Sequence, residues 1–596
     1  MSLSATQLEQ QKRQAEELLF SGPETMGFVK GLFFGHFNAG ELFPYPQLSP
    51  AAQAKADQSV TEVRQFCREK IDAAAIDRLA DIPRSVIDGL GALGVLGMAA
   101  HEDIGGRGFS QQAYCQVIEV LGGHCASTTV FVNAHHSIGL RALLLFGTPE
   151  QQKRWLPDLI NGRKMAAFAL TEPLAGSDAA NVQTMATPTE DGTGYILNGE
   201  KRYITNGGIA DVLTVMARTP APSSGKPNDT RVTAFLVTPD MPGFEVVETR
   251  AEKCGIRGTA TGKLRFTNMR VPKENILGPV GKGLKVALTV LDFGRTTFGA
   301  SCTGAAKACL QAAVKHAKSR VQFQQPLADF EMVKKKIAFI AAHAFAMESA
   351  TTQCAALIDR GAEDYMLETA ILKVFATEHL WTCVYETMQI FGGQSYFTNE
   401  PYERWMRDAR INTIGEGANE VLKAFIAVVG SRGPGLKLDG LRRGMKSKPF
   451  GTIPKLFDFG WQEMGRRMSR PDVPVKHALL KPNARRLAKR VKKLGTLLPW
   501  VFLKCGTEER FLQAQLLHER IADIVMDLYV SSCVLSRLDM MLARGRDLDG
   551  HPEHRAQIDA GMCYLKMADR RMAERFTGLF DNDDDSTISA ANSALG

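Results

Sequence analysis

The amino-acid sequence predicts a mainly α-helical fold in which a small β domain is inserted between two helical domains, with an extra helical domain at the C-terminal end. Three observations carry this reading. Apolar residues recur at helical spacing from about residue 60 to 160. Short β-branched and aromatic runs bounded by Gly, Pro and Asn replace them between about 165 and 275. From Gly283 to about Val429 long helical patterns return, with hardly any proline beyond Pro326 and Pro401. At 596 residues the chain exceeds a single core and must divide into several domains.

Residues 1–60 read as an N-terminal extension and 61–165 as the first helical domain, where Val86-Ile87-Leu90-Leu93 and Val117-Ile118-Leu121 keep one apolar face and Gly105-Gly106 and Gly147-Thr148-Pro149 mark turns. The β domain, 166–280, is read from Tyr195-Ile196-Leu197, Tyr203-Ile204-Thr205, Val212–Val215, Val232–Val237 and Leu264-Arg265-Phe266. A helical bundle follows over 281–430 and stops at the breaker cluster Ser431-Arg432-Gly433-Pro434-Gly435. Residues 431–505 read as a basic linker, through Pro454, Pro471 and Pro474, leading into a basic amphipathic helix in which Leu487, Val491, Leu494 and Leu498 share one face. Helices over Gln513–Ala543 and Gln557–Phe576 complete a C-terminal domain, 506–596. Its acidic end, Asp581–Asp585, with a small-residue tail is expected to be disordered.

Charge is unevenly placed. Ser431 to Cys505 holds nineteen Lys/Arg against four Asp/Glu, a local net of +15 that leaves −7 on the remainder of a chain of total charge +8. Such a distribution suits a localised contact with an anionic membrane surface rather than general nucleic-acid binding; the ordinary alternative is a packed helix with solvated charges. No apolar run is long enough to cross a bilayer, and the first residues lack the pattern of a secretion signal. The 11 cysteines form no C-x-x-C pair and no zinc-like cluster with histidine, so they read as reduced thiols, and His135-His136 reads as a packed or exposed pair, not a metal site.

Six segments bear groups suited to chemistry. Glu416, in Ile414-Gly415-Glu416-Gly417, is a carboxylate beside glycine, so a ligand can approach the backbone next to a candidate base. Gln389-Ile390-Phe391-Gly392-Gly393 offers an amide and two bare backbone positions to a phosphate or ring. Phe168–Asp178 and Arg202–Gly208 flank the β domain with hydroxyls and an aromatic wall. Asp292 and Arg295 share a helical face, and Arg320 ends a helix with a guanidinium suited to phosphate. Each has a plain reading too: a turn, strand packing, an intrahelical ion pair, a cap. Gly258–Lys263 misses P-loop spacing, and no G-x-G-x-x-G follows a strand.

Taken in this order, the segments resemble the acyl-CoA dehydrogenase family from about Thr61 to Gly430, and Phe28–Phe33, Leu42–Pro46 and the long C-terminal extension resemble its very-long-chain branch. The resemblance implies the family's helical, β-barrel, helical-bundle fold, FAD as cofactor, and α,β-dehydrogenation of long- or very-long-chain acyl-CoA in fatty-acid β-oxidation. Electrons would pass to an electron-transferring flavoprotein. Glu416 would be the base. Phe168, Leu170, Thr171, Gly176, Ser177, Tyr203 and Thr205 would line the flavin; Arg320, Phe323, Gln389, Gly392, Gly393, Ala418, Asn419 and Glu420 would hold the rest of FAD, partly across a homodimer interface. Ser177, Asp292, Arg295 and Gly417 would touch acyl-CoA.

One branch of the family carries its base at the position occupied here by Gly294, and small Ala134 stands where the medium-chain branch closes its acyl pocket with a bulkier acid, so a deeper tunnel is expected. Gly415, Ala418, Tyr203 and Gln324 depart from the family's usual aromatic, threonine, tryptophan and glycine. A non-catalytic assembly protein retaining the fold, or an acyl-CoA oxidase, is the alternative. The implied location is cytoplasmic or the mitochondrial matrix side, peripheral on the inner membrane.

Overall fold

The computed structural model describes residues 26–221, 229–432, 471–543 and 552–596. The expected breaker at Gly433–Gly435 and linker at Pro454 lie outside the described residues. The chain forms two compact units: one within Leu48–Val333 and Ala376–Gly417, the other within Pro23–Gln47, Lys334–Phe375 and Ala418–Gly596.

In the first unit the helix Pro50–Lys70 starts ahead of residue 61, because Ser49 caps Ala52 N–H and Pro50 supplies a preset first turn. Helices Gln111–Gly122, Ala126–Val132 and Pro149–Ile160 follow, the last opened by a Thr148/Gln151 capping box. Asn133–Leu140 is π-helical, an uncommon geometry that gathers at functional sites.

This stretch carries both adjacent histidines. Ala166 N–H donates to His135 Nδ1 at 3.0 Å, so the ring's proton sits on Nε2 and reaches Leu159 O at 3.0 Å, while Ala99 N–H donates to His136 Nε2 at 3.0 Å. Burial pushes His135 down to about 4 and His136 well below the usual imidazole range. Both rings are therefore neutral pegs between the helices and the sheet.

Because the folded rings refuse a proton that the unfolded chain takes below about pH 6.5, stability is lost as pH falls from there toward 4. For His135 alone the loss at pH 5 is on the order of 2 kcal/mol. Urea unfolding at pH 7 and pH 5 should show it, and His136→Gln, whose amide accepts the same N–H without titrating, should flatten the slope.

The β domain is an eight-stranded sheet: β1 Ala166–Ala169, β2 Met185–Pro188, β3 Gly194–Ile204, β4 Val212–Pro220, β5 Thr230–Val237, β6 Phe244–Glu248, β7 Gly262–Pro272 and β8 Ile276–Leu277. Its order is β6-β7-β3-β2-β4-β5-β8, with β1 parallel to β4. Both faces are covered. Ala167 and Ala169 enter one cluster with Leu213, Val215 and Phe235. Phe168 and Leu170, one residue out of phase, pack on the other with Trp155, Leu236 and Val290. The helix Gly283–Ser319, about 55 Å long at the α-helical rise, continues from the sheet.

In the second unit Leu487, Val491, Leu494 and Leu498 of the helix Lys481–Cys505 are buried, while Arg485, Arg486, Lys489 and Lys493 stay exposed. The apolar stripe is thus spent on the unit's own core, formed with the helices Phe28–Phe33, Gln515–Ala543 and Pro552–Gly578. The expected disorder at the acidic end is corrected: Asp584–Leu595 is a helix. Asp584 and Asp585 lie in its first turn, where negative charge is favoured, and Arg520 grips Asp584 with both terminal guanidinium nitrogens. Eight of the free cysteines are buried, Cys254 is exposed, and Cys505 and Cys563 are half-buried.

Candidate active site

Glu416 follows the helix Tyr402–Arg410 and the 3-10 turn Ile411–Thr413. That helix is pinned at its end. Arg407 forks onto Asp77 at 2.9 and 2.7 Å, grips Glu403 at 2.7 Å and reaches Cys254 O at 2.9 Å. The neighbouring Asp408, raised to about 6 by burial, accepts Ile256 N–H at 2.5 Å. The helix Ala73–Leu79, the β-domain loop and the helix ahead of Glu416 therefore share one polar knot, and the chain leaves it in a fixed direction. Glu416 itself has φ +59° and Gly417 +96°. A non-glycine residue held there costs about 1–3 kcal/mol, a strain found where a side chain must be aimed.

The carboxylate is half-buried, with Oε2 withdrawn from solvent, and it points at Gly294. A Cβ at Gly294 would lie 3.5 Å from Glu416 Oε2 and 3.3 Å from Ile138 Cγ1 in the π-helical stretch. The missing side chain leaves a notch directly before the carboxylate. At Gly415 a Cβ would meet only Ile411 O, at 3.7 Å, so the space of the absent aromatic is open.

The other sequence-predicted residues fall into groups. Arg202 N–H donates to Thr171 O at 3.0 Å and Lys201 Nζ to Leu170 O at 3.1 Å, which brings Phe168, Leu170 and Thr171 beside Tyr203 and Thr205. Gly176 and Ser177 are exposed on the loop beyond. Arg320, Phe323, Gln389, Gly392 and Gly393 form a second group at the far end of the 283–319 helix, where His316 stacks on Phe391 at 4.1 Å. Phe323 and Gln324, at φ +50° and +65°, make the turn of a small hairpin.

Asp292 and Arg295 are buried and paired at 3.0 Å. Ala418, Asn419 and Glu420 belong to the second unit; there Asn419 is buried and its Oδ1 accepts from Lys373 at 2.8 Å, and Glu420 is exposed.

The first two groups fit a flavin dinucleotide. Thr171, Ser177, Thr205, Arg320 and Gln389 make no side-chain hydrogen bond among the described residues, so their donors are left for a ligand. Added Cβ atoms at Gly392 and Gly393 would meet nothing within 4 Å. Tyr203 and Phe323 expose 59% and 88% of their surface, apolar area that calls for a cover. Sequence reasoning missed the notch partner Ile138, the Arg407 knot, and the buried pair Lys201–Glu172 at 2.6 Å. The sequence signal among these was an arginine spaced four from Glu403.

A carboxylate facing a notch, with groups that fit a flavin dinucleotide on a helical-β-helical scaffold, matches the class of flavoprotein dehydrogenases. Comparison with known proteins narrows the class. Acyl-CoA dehydrogenase N-terminal, middle and C-terminal domain models match residues 54–163, 167–269 and 281–430. The chain is 34% identical over 559 residues to the very long-chain specific acyl-CoA dehydrogenase, mitochondrial, of Homo sapiens, covering 91% of this chain and 85% of the relative. An acyl-CoA dehydrogenase from Bacillus anthracis, crystallised in complex with FAD, superposes with TM-score 0.77 at 26% identity over 94% of each chain. Butyryl-CoA dehydrogenase from Megasphaera elsdenii gives 0.59 at 34% identity, over 63% of this chain and 97% of its own.

The chain belongs to the acyl-CoA dehydrogenase family. It is an FAD-dependent oxidoreductase of fatty-acid β-oxidation.

Proposed function

We propose that the protein converts long- and very-long-chain acyl-CoA to trans-2-enoyl-CoA, with Glu416 as base and an electron-transferring flavoprotein as acceptor. The supporting observation is the carboxylate aimed into the Gly294 notch. Bound FAD supplies the hydride acceptor. Glu416 takes the proton from the carbon beside the thioester, the strained turn holds it in line, and the flanking glycines let the thioester lie against backbone. Ile138 and the neighbouring apolar wall keep water from the reacting carbons.

Chain length is argued from one helix face. Gly294, Phe298, Ser301, Ala305 and Ala308 recur at helical spacing, and the last four line a cavity with Thr129, Val130 and Asn133. From Gly294 to Ala308 the helix rises about 21 Å, room for a long acyl chain. Ala134, beside Asn133, adds little bulk. Palmitoyl-CoA should bleach the flavin absorbance under anaerobic conditions and turn over faster than octanoyl-CoA; a preference for octanoyl-CoA would remove the deep tunnel, and no bleaching at all would favour the assembly protein. Peroxide formation would mark an oxidase.

Arg320 lies about 39 Å along the helix from Gly294, farther than one dinucleotide reaches from the notch. Its group would therefore serve the flavin of a second copy, which supports a homodimer. The exposed cations of the 481–505 helix, each worth about 1 kcal/mol at an anionic lipid surface, support peripheral attachment on the cytoplasmic or matrix side. No described helix is long and apolar enough to cross a membrane. Flotation with anionic vesicles should recover the protein at low salt and lose it at high salt; salt-insensitive absence from the vesicles would rule attachment out.

A further inference from the structure

The cavity along Phe298, Ser301, Ala305 and Ala308 is not lined as a plain hydrocarbon pocket. Asn133 stands in its wall, only 3% exposed, at the start of the π-helical stretch. Ser301 Oγ donates its single proton to Thr297 O at 2.8 Å, so toward Asn133 it can only accept, and it takes Asn133 Nδ2–H at 3.3 Å. This fixes the amide's orientation. Asn133 Oδ1 is left as a buried acceptor without a hydrogen-bond partner among the described residues. An unserved buried acceptor costs about 1–3 kcal/mol, so it calls for a donor arriving with the ligand.

Across the cavity the side chains of Arg404, Trp405 and Asn412 make no hydrogen bond among the described residues and offer N–H donors. Arg404 shares this wall with Asp408 and lies in the field of Asp72 as well, so the wall carries both signs of charge. A carboxylate at the chain's end would meet a wall already balanced in charge. A neutral hydroxyl matches better: it donates once, to Asn133 Oδ1, and its oxygen accepts from the opposite wall.

Resting on the acyl-CoA dehydrogenase reading above, we propose that the cavity selects acyl chains bearing a hydroxyl group part-way along, with Asn133 as the specificity-determining residue. Ser301 is seven residues, about 10 Å, along the helix from Gly294, which sets the hydroxyl in mid-chain and well clear of the carbons that react.

The holoenzyme should be given stearoyl-CoA and 12-hydroxystearoyl-CoA, and the ratio of their kcat/KM values measured for wild type, Asn133→Val and Ser301→Ala. The wild-type ratio should favour the hydroxylated chain, and Asn133→Val should lower it about tenfold, the worth of one buried hydrogen bond. Ser301→Ala, which frees the amide to turn, should lower it less and serves if the valine variant does not fold. Calorimetric binding of both acyl-CoAs to Glu416→Gln holoenzyme reads the same ratio without turnover, so a failed base assignment is told apart from a failed hydroxyl site. A ratio near one in wild type, or one that neither substitution changes, overturns the proposal, with Asn133 Oδ1 then served by an ordered water.

Discussion

Glu416→Gln holoenzyme will keep its yellow colour and still bind palmitoyl-CoA, yet the flavin will not bleach on mixing. The amide has the carboxylate's shape and hydrogen-bonding reach, so it keeps the turn at φ +59° and the notch beside Gly294. What it loses is the ability to take a proton. General-base catalysis is worth about 10²–10⁴ in rate, and a weakly acidic α-proton puts this site at the upper end. Rapid mixing under anaerobic conditions measures the loss directly. A variant that bleaches within a few-fold of wild type would transfer the base role elsewhere.

The notch permits a stronger form of the test. A Cβ at Gly294 falls 3.5 Å from Glu416 Oε2, so a glutamate built there can bring its own carboxylate to the same spot. Ile138 must yield by a few tenths of an ångström, since its Cγ1 and Cδ1 lie 3.3 and 3.4 Å from that Cβ. Gly294→Glu in the Glu416→Gln background should recover part of the bleaching rate. Gly294→Glu alone should slow the enzyme, because two carboxylates would then crowd one proton and one of them would be held protonated. Recovery in the first case with inhibition in the second would show that a position in space, not a position in the chain, makes the base.

The pattern of apolar residues made the order of domains readable because both signals are periodic: 3.6 along Val86–Leu93, and continuous β-rich runs where strands such as β4 and β5 are buried on both faces. Strands β1 and β2 were not legible. Ala166–Ala169 is short and alanine-rich, and it forms only because Asp211 and β4 supply partners from more than forty residues away. The helix at Asp584 was misread for a related reason: its acidic start suggests a solvated tail until Arg520, far along the chain, is brought to it. Glu416 was legible as a carboxylate between glycines. Its aim was not, because the Gly294 gap, the Ile138 wall and the Arg407 knot are relations between segments that local sequence does not encode.

The second large effect is expected at the buried pair below the flavin-side loop. Lys201 and Glu172 side chains are 0% and 2% exposed and meet at 2.6 Å. Glu172 also accepts from Thr184 Oγ1 at 2.6 Å, Thr184 N at 3.1 Å and Gln183 N at 2.5 Å, and Lys201 Nζ holds Leu170 O at 3.1 Å. The two partners are therefore unequal. Glu172→Ala strands an ammonium and three donors away from water, a loss of about 3–5 kcal/mol that rivals the whole stability of a domain. Lys201→Met leaves Glu172 with its three other donors and replaces the lysine stem by one of similar length, so it should cost clearly less.

Burial already pulls Lys201 down to about 8, so part of the ammonium's favourable contact is offset in the native protein. Lys201→Met loses the hold on Leu170 O and Glu172→Ala the hold on Gln183 and Thr184, so each should loosen the loop beside Tyr203 on β3, and with it FAD. Thermal unfolding and the flavin retained after gel filtration separate the two effects. If Lys201→Met proves as damaging as Glu172→Ala, the ion pair itself, not the three donors behind it, holds the loop.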